Sequence, residues 1–348
     1  MDMSDAERSR ARSDDADAAA DVALPIVCPG FVDLQVNGFA GVDFNDGRLT
    51  PDRLRSALDA MRATGVTRCL PTLITSSFER FAAAARVVAR HPDPAVAGIH
   101  MEGPYLSRID GPRGAHQLAF VRDASVDDFQ RRQDAADGAI RLLTLAPEVP
   151  GALPLIEHAV ASGVRVAIGH TDASPAQIRD AVSAGATLST HLGNGCALTL
   201  PRHPNVIWEQ LAADALFASL IVDGHHLPAS TEAVMVRAKS PERVLLITDA
   251  TAAAAAAPGR YTLGDADIER TASGRVSQPG AAHLAGSALT LDAAIGRMVR
   301  DTGLPLACVL AMAHEQPARW LGVAPAGRVH ARWWPRTYTL EIENTSSD

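Results

Sequence analysis

The chain has 348 residues, 47% of them hydrophobic and 21% charged, a balance that builds a packed core and excludes a chain disordered throughout. Lysine plus arginine number 32 against 40 acidic residues, a net charge of −8, which argues against nucleic acid or an anionic membrane as the main partner. Cys28, Cys69, Cys196 and Cys308 lie far apart with no Cys-x-x-Cys pair, so neither a disulfide framework nor a thiolate zinc site is indicated.

Residues 1–21 are charged and polar with no periodic apolar face. They read as a mobile arm without the apolar core of a secretion signal, and no later run is apolar and long enough to cross a bilayer, so a cytoplasmic location is expected. From Pro29 onward, short β-branched runs read as buried strands: Pro29–Val36, Val66–Leu73, Ala95–Glu102, Ala139–Ala146, Val164–His170, Ala186–His191, Leu216–Asp223 and Arg243–Ala250. Amphipathic helical segments lie between most of them: Asp52–Ala63, Phe78–Arg90, Leu153–Ala161, Pro175–Ala184 and Ser230–Ala238. Thr50-Pro51 and Ser174-Pro175 are helix starts with proline at the first position, and Gly65, Gly163 and Gly185 are left-handed stops.

Strands recurring about every 30 residues predict a parallel (β/α)8 TIM-type barrel of α/β class. An open doubly wound sheet is the competing arrangement, but no Gly-x-Gly-x-x-Gly follows the first strand. The alanine run Ala252–Ala257 reads as a loop or lid, followed by strands near Arg260–Leu263 and Arg275–Ser277. Helices are expected at Leu289–Arg300, Pro305–Ala313 and Gln316–Leu321, then a strand-like stretch at Arg332–Glu343.

Chemistry in a parallel barrel sits at the C-terminal ends of the strands. Six of the expected strands deliver an imidazole, carboxylate or amide there, in DLQVN, HMEGP, GHTD, TH, DGHH and TDA. Two histidines and a glutamate converging on one point suit a divalent metal with a position left open for water. Glu102, His170 and His191 fill those places, and one zinc per chain fits the set, with iron, cobalt and manganese as alternatives. Asp249, on the last strand, is placed to accept the water's proton and pass it to a leaving amine.

These strings resemble the N-acetylglucosamine-6-phosphate deacetylases of the amidohydrolase superfamily. PGFVDLQVNGFAGVDFND, HMEGPYLS, RGAH, LAPE, GHTDAS, DGHH, ITDAT and LAGSALTL follow in that family's order from about Pro29 to Gly322. The resemblance implies a metal-dependent barrel hydrolase that removes acetate from an N-acetylated amino-sugar phosphate, and it places Glu102, His170 and His191 on the metal and Asp249 in catalysis. It further implies substrate contacts from His116 near the acetamido group, from His226 at the sugar phosphate, and from Asn194, Gly195, Leu284, Ala285 and Gly286 along the sugar pocket. Arg202 falls on an arginine that reaches a neighbouring subunit's phosphate, implying a homodimer. Gln35 and Asn37 stand where other superfamily members carry a metal-binding His-x-His, which points to a single metal.

The chain also departs from the family pattern. Gly193 replaces an aromatic residue beside His191 and is expected to enlarge that wall, leaving a different N-acyl or cyclic amide substrate as the second reading and a turnover-free sugar-phosphate binder as the third. The residues before Pro29 are too few and polar to supply the family's N-terminal strands. The accessory β-sandwich is therefore expected to be reduced or absent, with residues 22–322 forming the catalytic barrel and 323–348 a short tail.

Overall fold

The computed structural model describes residues 22–346, so the expected arm at 1–21 lies outside the described residues. Its elements in chain order begin with β1 (Leu24–Pro29), β2 (Phe31–Val36), β3 (Gly38–Phe39), β4 (Val42–Asp43), α1 (Pro51–Arg62), β5 (Val66–Ile74), α2 (Phe78–Ala89) and β6 (Ile99–Glu102). Next come α3 (Val126–Ala135), β7 (Ile140–Leu145), α4 (Ala152–Ala161), β8 (Arg165–Ile168), α5 (Pro175–Ser183), β9 (Leu188–Ser189), α6 (Val206–Ala212), β10 (Phe217–Leu220), α7 (Ala229–Lys239) and β11 (Val244–Leu246). The chain continues through β12 (Gly259–Leu263), β13 (Ala266–Arg270), β14 (Val276–Ser277), α8 (Leu291–Thr302), α9 (Leu306–Ala313), α10 (Glu315–Leu321), β15 (Arg328–Trp334) and β16 (Thr339–Ser346).

Eight parallel strands run in the order β2-β5-β6-β7-β8-β9-β10-β11. The two ends meet through a parallel bridge between Val36 and Ala250, where Asn37 N donates to Ala250 O at 2.7 Å and Asp249 N to Gln35 O at 2.9 Å. The expected TIM-type barrel is what forms. Its helices follow local rules: Thr50 caps α1 by accepting from Arg53 N, Pro51 starts it, and Leu54, Ala57, Leu58 and Met61 form the buried stripe. Ser174 and Gln177 close a reciprocal capping box on α5. Gly65 takes φ +88°, and a Cβ there would meet the Phe31 ring at 2.5 Å, so only glycine lets this turn pack on the first barrel strand.

Two additions flank the barrel. A three-stranded sheet pairs β1, β15 and β16 antiparallel, with Ile26 opposite Ala331 and Ala331 opposite Ile342. Among the described residues the accessory layer has three strands, and the N-terminal stretch supplies one of them, contrary to the expectation of none. Pro25 and Pro29 are tolerable in β1 because it is an edge strand, and its half-exposed face hides the usual alternation. The second addition is the antiparallel sheet β12-β13-β14, inserted after the last barrel strand and packed on its own apolar cluster of Ala253, Leu263, Ile268, Val276 and Ala285. The alanine run leading into it is a loop, but Ala252, Ala253 and Ala254 are buried instead of covering the mouth as a lid. No helix among the described residues is long and apolar enough to cross a membrane.

Candidate active site

Glu102 is the last residue of β6, whereas His170, His191 and Asp249 stand just beyond the ladders of β8, β9 and β11. All three of these take positive φ, at 51°, 33° and 48°. That left-handed geometry costs about 1 kcal/mol or more for a residue with a Cβ. It is held by neighbouring segments: His191 N donates to Ser219 Oγ of β10 at 2.8 Å, and Asp249 O accepts from Ser287 N at 2.9 Å. The chain thereby ends each strand with a side chain brought to the shared rim.

There the expected donors meet. His170 Nε2 lies 3.2 Å from Glu102 Oε1, His191 Nε2 lies 3.1 Å from the same oxygen, and the two Nε2 atoms are 3.1 Å apart. His170 Nδ1 is 3.0 Å from Pro112 O, a carbonyl that can only accept. The proton therefore sits on Nδ1, leaving a lone pair on Nε2. Atoms bound about 2.0–2.2 Å from a tetrahedral zinc would stand roughly 3.3–3.6 Å apart, close to these separations. The donor set and its buried lone pair fit a divalent cation. His116 adds a fourth group, its Nε2 3.2 Å from His170 Nε2 and 3.9 Å from Glu102 Oε2. Glu102, His116 and His170 themselves offer ligand atoms within 4.8 Å of one another. Burial, reinforced by His170, pushes His116 down to about 3, so it is a neutral imidazole at physiological pH.

Gln35 and Asn37, expected as poor metal ligands, bind the carboxylates instead. Gln35 Nε2 donates to Glu102 Oε1 at 2.9 Å and to Asp249 Oδ1 at 3.2 Å, and Asn37 Nδ2 donates to Asp249 Oδ1 at 2.7 Å. Burial, then the charge of Glu102, pushes Asp249 up to about 7, the range in which a carboxylate can both take and return a proton. His100, one turn of the pleat below, is a structural residue: it bonds Thr144 Oγ1 at 2.8 Å, and burial lowers it to about 4.

The cluster opens into a cavity of about 630 Å³ whose lining includes His116, Asn194, Gly195, His226, Leu284 and Gly286, all expected there. Ala285 points the other way, into the apolar cluster of the inserted sheet. Arg202 is exposed and lies outside the lining of its own cavity. Gly193 corrects a further expectation: at φ +93°, a Cβ would meet Met235 Cε at 2.9 Å and Leu227 Cδ2 at 3.0 Å. Its missing side chain would point into packed core, so glycine here does not widen the cavity.

Other site residues had no role assigned from the sequence. Asp223 Oδ2 lies 2.8 Å from His226 Nδ1, and Asp223 Oδ1 accepts from the backbone N–H groups of His225 and His226 at 2.8 Å each. Their spacing in Asp-Gly-His-His carries the signal, since a turn returns position i+3 to the carboxylate. The pair fixes which imidazole nitrogen faces the cavity. Lys239, the only lysine in the chain, donates to Gln210 O at 2.8 Å and Ala213 O at 2.6 Å and caps α6 away from this site.

No protein-family model matches the chain. It is 36% identical over 304 residues to an N-acetylgalactosamine-6-phosphate deacetylase of Escherichia coli O157:H7, covering 86% of this chain and 78% of that one. It is 32% identical over 306 residues to an N-acetylglucosamine-6-phosphate deacetylase of Lysinibacillus sphaericus, with 86% and 78% covered. The chain belongs to the amino-sugar-phosphate deacetylase family. A deacetylase of that family from Mycobacterium smegmatis, a variant solved with N-acetyl-D-glucosamine-6-phosphate, superposes with a TM-score of 0.85 at 33% identity, covering 92% of this chain and 86% of that one. Deacetylases are hydrolases of an amide C–N bond, and the convergent donors at the barrel rim suit that chemistry.

Proposed function

We propose that the protein is a divalent-metal-dependent hydrolase that converts N-acetylglucosamine 6-phosphate, or its galactose epimer, to the free amino-sugar phosphate and acetate. The observation carrying this reading is the meeting of Glu102, His170 and His191 within 3.2 Å of one another beside Asp249, at the strand ends of a deacetylase-family barrel. Glu102, His170 and His191 would hold one cation, with zinc suited to the N,N,O set. Such a cation supplies Lewis acidity, lowering the pKa of a water and polarising a carbonyl oxygen.

Asp249 then takes the proton of the water that attacks the acetamide carbon. As the C–N bond breaks, the same carboxyl gives that proton to the departing nitrogen. Gln35 and Asn37 hold Asp249 in place through both steps by donating to Oδ1. His116, neutral and buried, stands next to the acetamido group. His226, fixed by Asp223, serves the sugar and its phosphate, while Asn194, Gly195 and the Leu284–Gly286 backbone line the ring. Arg202 reaches the neighbouring subunit's phosphate in a homodimer. The catalytic unit, expected over 22–322, begins at β2 because β1 pairs with β15 in the accessory sheet, and the four free cysteines suit the reducing cytoplasm.

An acetate-release assay tests the reading, using zinc- and iron-loaded protein with both N-acetylhexosamine 6-phosphates and their unphosphorylated forms. Release from a phosphorylated sugar, with metal near one per chain, is the expected result. Absence of release from every substrate by protein carrying stoichiometric metal would refute it.

A further inference from the structure

The inserted sheet brings a cation to the cavity that the deacetylase reading leaves unused. The turn between β13 and β14 is closed by Thr271 N donating to Arg275 O at 3.0 Å, and it leans on the barrel where His225 Nε2 donates to Ser273 O at 3.0 Å. This contact seats Arg275 in the cavity wall. Its guanidinium is already ordered: Nη1 donates to Ser277 Oγ at 2.6 Å, and Nη2 to Ala282 O at 2.6 Å and Ala281 O at 3.4 Å. Those acceptors are neutral, and among the described residues no carboxylate lies within 4.0 Å of Arg275. Asp110, the remaining acid on the cavity rim, is paired with Arg113 at 3.0 Å. His283, adjacent to the carbonyl that Arg275 grips, also lines the cavity.

The cavity is therefore polar in charge as well as in shape. Two carboxylates, Glu102 and Asp249, occupy the barrel side, and a cation without an acidic partner occupies the side built by the insert. A ligand anionic at one end and neutral at the other is matched by that polarity, and a guanidinium held in place loses little further side-chain entropy on binding. We propose that Arg275, with His283 beside it, forms a same-chain anion subsite that takes the phosphate end of the substrate. Only the identity of the anion rests on the deacetylase reading. The subsite adds to any arginine offered by a second subunit, because Arg275 belongs to the chain whose cavity it lines.

Metal-loaded wild type, Arg275→Gln and Arg275→Lys are titrated calorimetrically with glucose 6-phosphate, with glucose as the uncharged control. The glutamine variant keeps a donor for the 281–282 carbonyls and removes the charge. Its affinity for glucose 6-phosphate should fall at least about 10-fold, the lysine variant should recover most of that loss, and glucose binding should be unchanged. Equal affinity of wild type and Arg275→Gln for glucose 6-phosphate overturns the proposal. So does an equal loss for glucose and its phosphate, which would make Arg275 only a clamp on its loop, or a wild type that prefers neither ligand. A wild type that binds through Arg275 but releases no acetate from any substrate would leave the subsite standing and remove the deacetylase reading.

Discussion

Of the four side chains that meet at the barrel rim, Glu102, His170, His191 and Asp249, the last three sit in left-handed backbone just outside their strands. That placement explains both their convergence and the limit of what alternating apolar runs can reveal. The motifs locate His170, His191 and Asp249, but a period-two pattern places them inside the strands and gives no account of how they turn inward. Asp249→Asn should retain metal near one per chain while kcat falls by at least about 10²-fold, the usual worth of a general base; metal analysis beside steady-state kinetics checks it. Glu232, on the first turn of α7, is fully buried, and neither carboxylate oxygen has a hydrogen-bond partner. Burial, followed by the charges of Asp301 and Asp223, pushes its pKa up to about 7. The folded chain thus binds a proton more tightly than the unfolded one. The stability this gives is complete below the unfolded value near 4.5 and is lost as pH rises through about 7. Glu232→Gln should therefore flatten the decline and be more stable than wild type at pH 8 by on the order of 1 kcal/mol. Denaturant titrations at pH 5, 6.5 and 8 measure the difference, which should shrink toward the acidic end.

At the scale of elements, the barrel strands and the helices with marked starts are legible, whereas other elements depend on contacts that no local window contains. α3 buries only Phe129 and Arg132 and shows little apolar stripe, and α6 spans seven residues. β1 becomes a strand through pairing with β15, a partner about 300 residues away in the chain. That accessory sheet is seated by a close approach: a Cβ on Gly296 of α8 would fall 2.0 Å from Tyr338 O in the turn between β15 and β16. Gly296→Ala improves helix propensity by about 1 kcal/mol, but it forces the turn away from the helix. A net loss of about 2 kcal/mol is expected, visible as a fall of several degrees in Tm with little change in KM. An increase in Tm would mean that the turn yields without cost.

For the whole molecule, the exposed Arg202 and the cavity it does not line bear on assembly. If Arg202 serves a neighbouring site, Arg202→Ala and Asp249→Asn proteins should each be impaired alone, the first through KM for phosphorylated sugars. Mixed and re-equilibrated, they should recover up to about a quarter of wild-type activity, because half of the random dimers carry one complete site of two. Absence of recovery in a mixture shown to exchange subunits would confine Arg202 to its own surface. The inserted sheet has a different relation to the barrel. It leaves after Asp249 and returns at Ser287, and these departure and return points are stitched together: Ser287 N donates to Asp249 O at 2.9 Å and Thr251 N to Ser287 O at 3.0 Å. The excursion between them is thus an exchangeable cassette. Its loops can lengthen, shorten or swap chemistry while the Asp249 carboxylate stays registered by the same two backbone bonds, so one wall of the cavity can change without moving the rim beneath.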